Sequence, residues 1–198
     1  MQKITEGDII PPEKFSKILP EERNKIIAIK RHRRIASKTF SYLFENRDTV
    51  LNQINEMILI ENVHDAKEKD HILTTYNELI PGDKEFSVSM FIEISDEKKL
   101  LKEMPRLTGI ENNVYLVFAD SELKGIPEEG RSTATLESTL QYLRFKFDEK
   151  KAESFKKTKN AFVVTRHSIY KESAEINEEL LSDLVSVHYK LLEYDLFL

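Results

Sequence analysis

The chain has 198 residues, no cysteine, and 30 Lys and Arg against 35 Asp and Glu, giving a formal charge of -5 at pH 7 and a pI near 5.7. That length buries a core without disulfide or metal staples and suits one domain. The missing cysteines exclude a disulfide framework, a thiolate nucleophile and Cys-ligated zinc or iron-sulfur centres in this chain, and the acidic balance argues against a nucleic-acid partner for the molecule as a whole.

The opening MQKITEGDIIPPEKF lacks the basic start and continuous apolar run of a secretory signal, and no stretch approaches the ~18 apolar residues of a membrane span. These features point to a cytoplasmic protein with no membrane contact. Residues 1–19 read as a short N-terminal segment punctuated by Pro11 and Pro12. PEERNKIIAIKRHRR then reads as a helix with Pro20 near its start, acids at the positive end of its dipole and bases at the other. SKTFSYLF alternates Phe40, Tyr42 and Phe44 against Ser41 and Leu43, which predicts a strand.

A helix is predicted from about Asp48 to Glu61, where Val50, Ile54, Met57 and Ile58 recur at helical spacing, and another over KEKDHILTTYNELI before the Pro81-Gly82 turn. EFSVSMFIEI has the cleanest alternation of the chain and predicts a half-exposed strand. DEKKLLKEMPRLTG reads as a short helix ending by Gly109, NNVYLVFA as a strand returning through SELKGI, and TLQYLRFKF and NAFVVTR as two strands separated by a helix over DEKKAESFKK. An amphipathic helix closes the chain at about 176–193. Mixed hairpin-like and helical connections predict a single α+β domain over 1–198, with a largely antiparallel or mixed sheet packed with helices.

The densest polarity falls at the strand-to-helix corner Phe44-Glu45-Asn46-Arg47-Asp48-Thr49-Val50. Asn46 and Asp48 are N-cap residue types, so capping accounts for one of them. Glu45, Arg47 and Asp48, with Gln53 on the helix, form the candidate ligand-binding set, Arg47 being the anion-binding or charge-balancing member. Glu56 and Glu61 lie beside the apolar stripe and are candidate general acids or bases, with His167 as an assistant. The competing reading is a structural ion-pair network around a capped helix start.

Lys30-Arg31-His32-Arg33-Arg34 offers Lys30, Arg31, Arg33 and Arg34 as an anion or RNA face, with Phe40 and Tyr42 as stacking partners. The plainer reading is dipole-compensating charge whose arginines pair with the chain's own acids. Glu61-x-x-His64 and Glu68-x-x-His71 have the Glu-x-x-His spacing of di-iron bundles, but those bundles draw the motif from facing helices, so no metal site is read here. Neither a phosphate-loop nor a nucleophile-elbow motif occurs. Gly130-Arg131-Ser132-Thr133 reads as a polar turn able to hold an anion, and His167 as an exposed loop histidine after a strand end.

The segments IIAIKRHRR, LFENRDTV with QINEMILIE, NELIPGD, GRSTATLESTLQYLRFKF and HSIY together resemble the bacterial family catalogued as domain of unknown function 3501. FENRDTV with Gln53, Glu56, Met57 and Glu61 is the most specific block. The chain departs from the family pattern at His32, where arginine is usual, and at SKTFSYLF, where the family usually carries Gly-Pro before the aromatic strand. The resemblance implies one domain of about this length in a redox or peroxide-stress setting, with a rubrerythrin-like or iron-sulfur oxidoreductase protein as partner; it leaves the cofactor unknown. The reading expected of the chain is an accessory or binding protein holding an anionic ligand or protein partner at the polar corner. The alternatives are an enzyme using a buried Glu with Arg47 orienting an anionic substrate, and an RNA-binding module.

Overall fold

Two prolines in sequence set where the first helix starts. In the computed structural model, which describes residues 1–128 and 138–193 (the last seven as backbone only), α1 runs Pro12–His32. It begins at Pro12 and not near Pro20, because Pro12 takes the first helical position, where a missing N-H would be unpaired anyway, and Lys14 and Phe15 donate to the Pro11 carbonyl at 2.9 and 2.8 Å. Pro20 therefore lies inside the helix, at a cost of about 3 kcal/mol. Phe15 and Ile26, both buried on either side of it, contribute roughly 1.5–3 kcal/mol each and offset that cost.

Two compact units make up the chain, Met1–Arg33 with Glu45–Gly82, and Arg34–Phe44 with Asp83–Leu198. The first is helical. Its α2, Arg47–Ile60, starts at a capping box in which the Asn46 side chain accepts from Thr49 N-H at 2.9 Å and Thr49 Oγ1 accepts from Asn46 N-H at 3.0 Å. Val50, Ile54 and Ile58 form its fully buried stripe. Asn62 then turns the chain at φ 52°, a left-handed position that asparagine tolerates. Asp65 caps α3, Ala66–Asn77, and the buried Asn77 side chain clasps the Ile4 backbone from both sides, at 2.7 and 2.8 Å.

The second unit holds two antiparallel sheets. Strands β1 Arg34–Ala36, β2 Phe40–Phe44, β3 Glu85–Ile92, β6 Ile126–Pro127 and β7 Leu140–Lys146 follow the order β1-β2-β3-β7-β6. Strands β4 Val114–Phe118, β5 Ser121–Lys124, β8 Ala161–Arg166 and β9 Lys171–Glu175 follow β5-β4-β8-β9. Helices α4 Glu97–Glu103, α5 Glu149–Lys156 and α6 Glu178–Glu193 complete it. Phe86, Phe118, Phe147 and Phe155 meet mostly edge to face in the core, and Tyr42 on β2 and Thr165 on β8 share a hydrogen bond at 2.6 Å that ties the sheets. Burial raises the Tyr42 phenol well above its usual range.

Three sequence expectations change. β3 is not half-exposed: Ser87 and Ser89 are buried along with Phe86, Val88 and Met90, because its second face is covered where Leu43 and Tyr142 flank Ser89 in the register. Alternation reports polarity, and a small hydroxyl is buried at little cost when it is hydrogen-bonded. Residues 34–36 form β1 instead of extending the helix, since three residues are too few to show a strand period. β9 was also hidden, as KESAE buries only Ala174.

Candidate functional site

The polar corner is folded in on itself. Glu45, Thr49 and Gln53 recur four residues apart, so they stack on one face, and the buried Glu45 carboxylate accepts from Thr49 Oγ1 and from Gln53 Nε2 at 3.2 and 3.3 Å. The buried Arg33 guanidinium donates to the Glu45 backbone carbonyl at 3.5 Å. One contact thereby joins the residue at which the chain leaves the helical unit to the residue at which it returns. Arg47 Nη2 is paired with Asp8 at 2.7 Å, both side chains being 30% exposed. The backbone N-H of Thr5 and then the Arg47 side chain hold the Asp8 carboxyl down to about 2.

The remaining expected site residues do not converge there. Asp48 is exposed, Glu56 is half-buried, and Glu61 is exposed at the C-cap, since α2 ends at Ile60 before the stripe through Ile54 and Ile58 reaches it. Glu61 is thus not the inward-facing acid that the spacing suggested. The basic run is divided between the units: Arg31 is exposed and Lys30 half-buried, Arg33 is buried, and Arg34 lies over the Phe91 ring at 4.5 Å and beside Glu93 at 3.4 Å. Phe40 and Tyr42 are fully buried and offer no stacking platform. His167 is buried, not exposed; it stacks on Tyr170 and its Nδ1 accepts from Ile169 N-H at 3.4 Å. His64 and His71 are exposed, and the Gly130–Thr133 turn lies outside the described residues.

A different place carries an open set of like charges. In the second unit the β1–β2 turn, the N-terminal half of α4 and the start of β9 surround a cleft of about 390 Å³ lined by Lys38, Lys99, Lys171, Tyr170, Ile94 and Ile169. Its one carboxylate, Glu172, is occupied: it accepts from Ser37 Oγ at 2.7 Å, Thr39 N-H at 2.8 Å and Thr39 Oγ1 at 2.6 Å. Burial pushes the Glu172 carboxyl up, but the combined hydrogen bonds from Thr39 and Ser37 outweigh it and leave it below its ordinary value. Tyr170 donates to Glu103 Oε2 at 2.7 Å, and Glu103 also takes Arg106 Nη1 at 2.9 Å. Burial, then the Glu103 hydrogen bond, raise the Tyr170 phenol to about 12, so it stays protonated and its ring is held as a neutral wall.

Sequence reading missed this cleft because its three lysines come from three separated segments and form no local motif. Among the described residues no group of three or more His, Asp and Glu is placed to hold a metal ion, and no helix is long and apolar enough to cross a membrane.

Two antiparallel sheets with helices in one unit, and a helical unit whose sequence is interrupted by the β1–β2 segment, define an α+β protein. The chain belongs to the family described as Protein of unknown function (DUF3501), whose family model matches residues 3–187. A crystal structure of a novel protein of unknown function from Burkholderia pseudomallei K96243 is similar to it, with a TM-score of 0.86 and 26% sequence identity over 93% of this chain and 98% of that chain. No curated protein matches.

Proposed function

We propose that this is a binding protein for a small organic anion, a carboxylate or phosphate monoester on an apolar body, held in the cleft of Lys38, Lys99 and Lys171. The supporting observation is three ammonium groups around one cleft whose only carboxylate is already engaged by Ser37 and Thr39. Ile94, Ile169 and the Tyr170 ring supply the apolar contact. This reading keeps the expected anionic ligand but moves it from the corner, where Arg47 is paired with Asp8 and Glu45 is buried. The same closure disfavours an enzyme with Arg47 orienting its substrate.

At about 1 kcal/mol per close charge pair in water, three lysines contribute about a hundredfold in affinity. Calorimetric titration with phenyl phosphate tests this: saturable binding is expected, weakening with added salt and falling at least tenfold in the Lys38→Gln/Lys99→Gln/Lys171→Gln variant. Binding unaffected by that variant, or no binding, refutes the proposal. For the pathway we propose the redox setting that the family resemblance implies, with an iron-sulfur oxidoreductase or rubrerythrin-like partner. Its recovery with the protein purified from the native host is the expected result, and recovery of neither refutes it.

A further inference from the structure

The helical unit contains a second, chemically different pocket. Helices α1 and α2 enclose about 220 Å³ lined by Ile10, Phe15, Ile26, Ile29 and Leu51, with Asn52 at its wall. Helical spacing places these groups there: Phe15, Ile26 and Ile29 lie on one face of α1, and Leu51 and Asn52 on the adjoining part of α2.

Asn52 is only 8% exposed, and its Nδ2 is buried without any hydrogen-bond partner. Buried amide donors are nearly always satisfied, and leaving one unmet is costly. The neighbouring Asn55 turns its Oδ1 to Ile10 N-H, from which it accepts at 3.0 Å, and makes no hydrogen bond to Asn52 Nδ2. Asn52 lines this apolar pocket, and a small rotation of its amide toward that space would give the orphaned donor an acceptor attached to an apolar body. The volume lies below the roughly 300–1,000 Å³ of sites for drug-sized ligands, so the compound is small.

Charge at the rim decides its sign. Asp48 and Glu22 both line the pocket, and the single cation, Lys25, is paired with Glu22 at 2.7 Å. An anion would meet the Asp48 carboxylate without a spare cation to balance it. We propose that the pocket between α1 and α2 binds a small, uncharged, largely apolar compound through a carbonyl-type oxygen that accepts from Asn52 Nδ2. This site is independent of the lysine cleft, and either proposal stands if the other fails.

The test uses the full chain, labelled with nitrogen-15 and titrated with acetophenone. α-Methylstyrene, which has the same shape with a CH₂ in place of the oxygen, and benzoate, which adds a charge, are the comparisons. Acetophenone is expected to give saturable shifts at the Asn52 side-chain amide and along α1 and α2, and to bind about tenfold more tightly than α-methylstyrene, the factor set by one hydrogen bond. Benzoate should bind more weakly than acetophenone. In Asn52→Leu the preference for acetophenone over α-methylstyrene should vanish while both still bind. Equal affinity of the two compounds for the unaltered protein overturns the proposal, as does the absence of saturable shifts, which would leave a buried water as the partner of Asn52. Tighter binding of benzoate overturns the assignment to an uncharged ligand. The comparison on the unaltered protein decides the matter even if Asn52→Leu does not fold.

Discussion

Replacing Glu45 by alanine probes whether the corner is structural. Glu45 is 2% exposed and its carboxylate accepts from Thr49 Oγ1 and Gln53 Nε2, so truncation removes two hydrogen bonds to a charged group, each contributing about 1.5–3 kcal/mol. Thr49 Oγ1 has a fallback acceptor in the Asn46 carbonyl at 3.0 Å, which reduces its share. The expected loss is about 2–4 kcal/mol, read as a lower urea midpoint with unchanged slope. Combining Glu45→Ala with Thr49→Val should show a coupling of at least about 0.5 kcal/mol, because the two residues share one bond. Glu45→Gln keeps one acceptor oxygen and should cost less. A loss below about 0.5 kcal/mol for Glu45→Ala, or additive behaviour with Thr49→Val, would falsify the view that this carboxylate holds the helical unit together.

Three other outcomes are expected. Asn77→Ala should cost about 1–3 kcal/mol and make residues preceding Pro11 the first site of limited proteolysis, since both hydrogen bonds to Ile4 are lost; unchanged cleavage kinetics would contradict that role. Asp8 has a carboxyl lowered from 3.8 to about 2 in the fold, so its contribution is present above pH 4 and lost as pH falls through about 2. The acid loss of stability should therefore be shallower in Asp8→Asn between pH 4 and 2, and identical curves would refute the Asp8–Arg47 pairing. Ala119 occupies the tight β4–β5 turn at φ 44°, a position that penalises a side chain, so Ala119→Gly should raise stability by about 0.5–1 kcal/mol in thermal unfolding. A loss would place the strain elsewhere.

The corner was legible in the sequence for a local reason: cap chemistry and the four-residue spacing of Glu45, Thr49 and Gln53 operate within a few residues of one another. The same locality explains the accuracy for α2, α3, α4, α5, β4 and β8, each announced by its own periodicity and punctuation. Reading Glu61 as an inward acid failed because phase was extended past Ile60, where the helix ends. Reading Lys30 to Arg34 as one basic face failed because adjacency in sequence does not survive a change of element: the helix stops at His32, Arg33 is buried, and Arg34 starts a strand.

By itself the sequence determined the α+β class, the absence of thiol chemistry, the starts of α2 to α5 and the polar corner, all of which depend on composition or on neighbours in the chain. Only the tertiary structure decided what lies open. Lys38, Lys99 and Lys171 line one cleft because β2 pairs with β3, just before α4, and Ser37 and Thr39 hold Glu172 at the start of β9, which brings three distant segments together. Whether Arg47 faces a ligand or Asp8, and whether Asn52 finds an acceptor, depends on contacts between segments that no local pattern encodes.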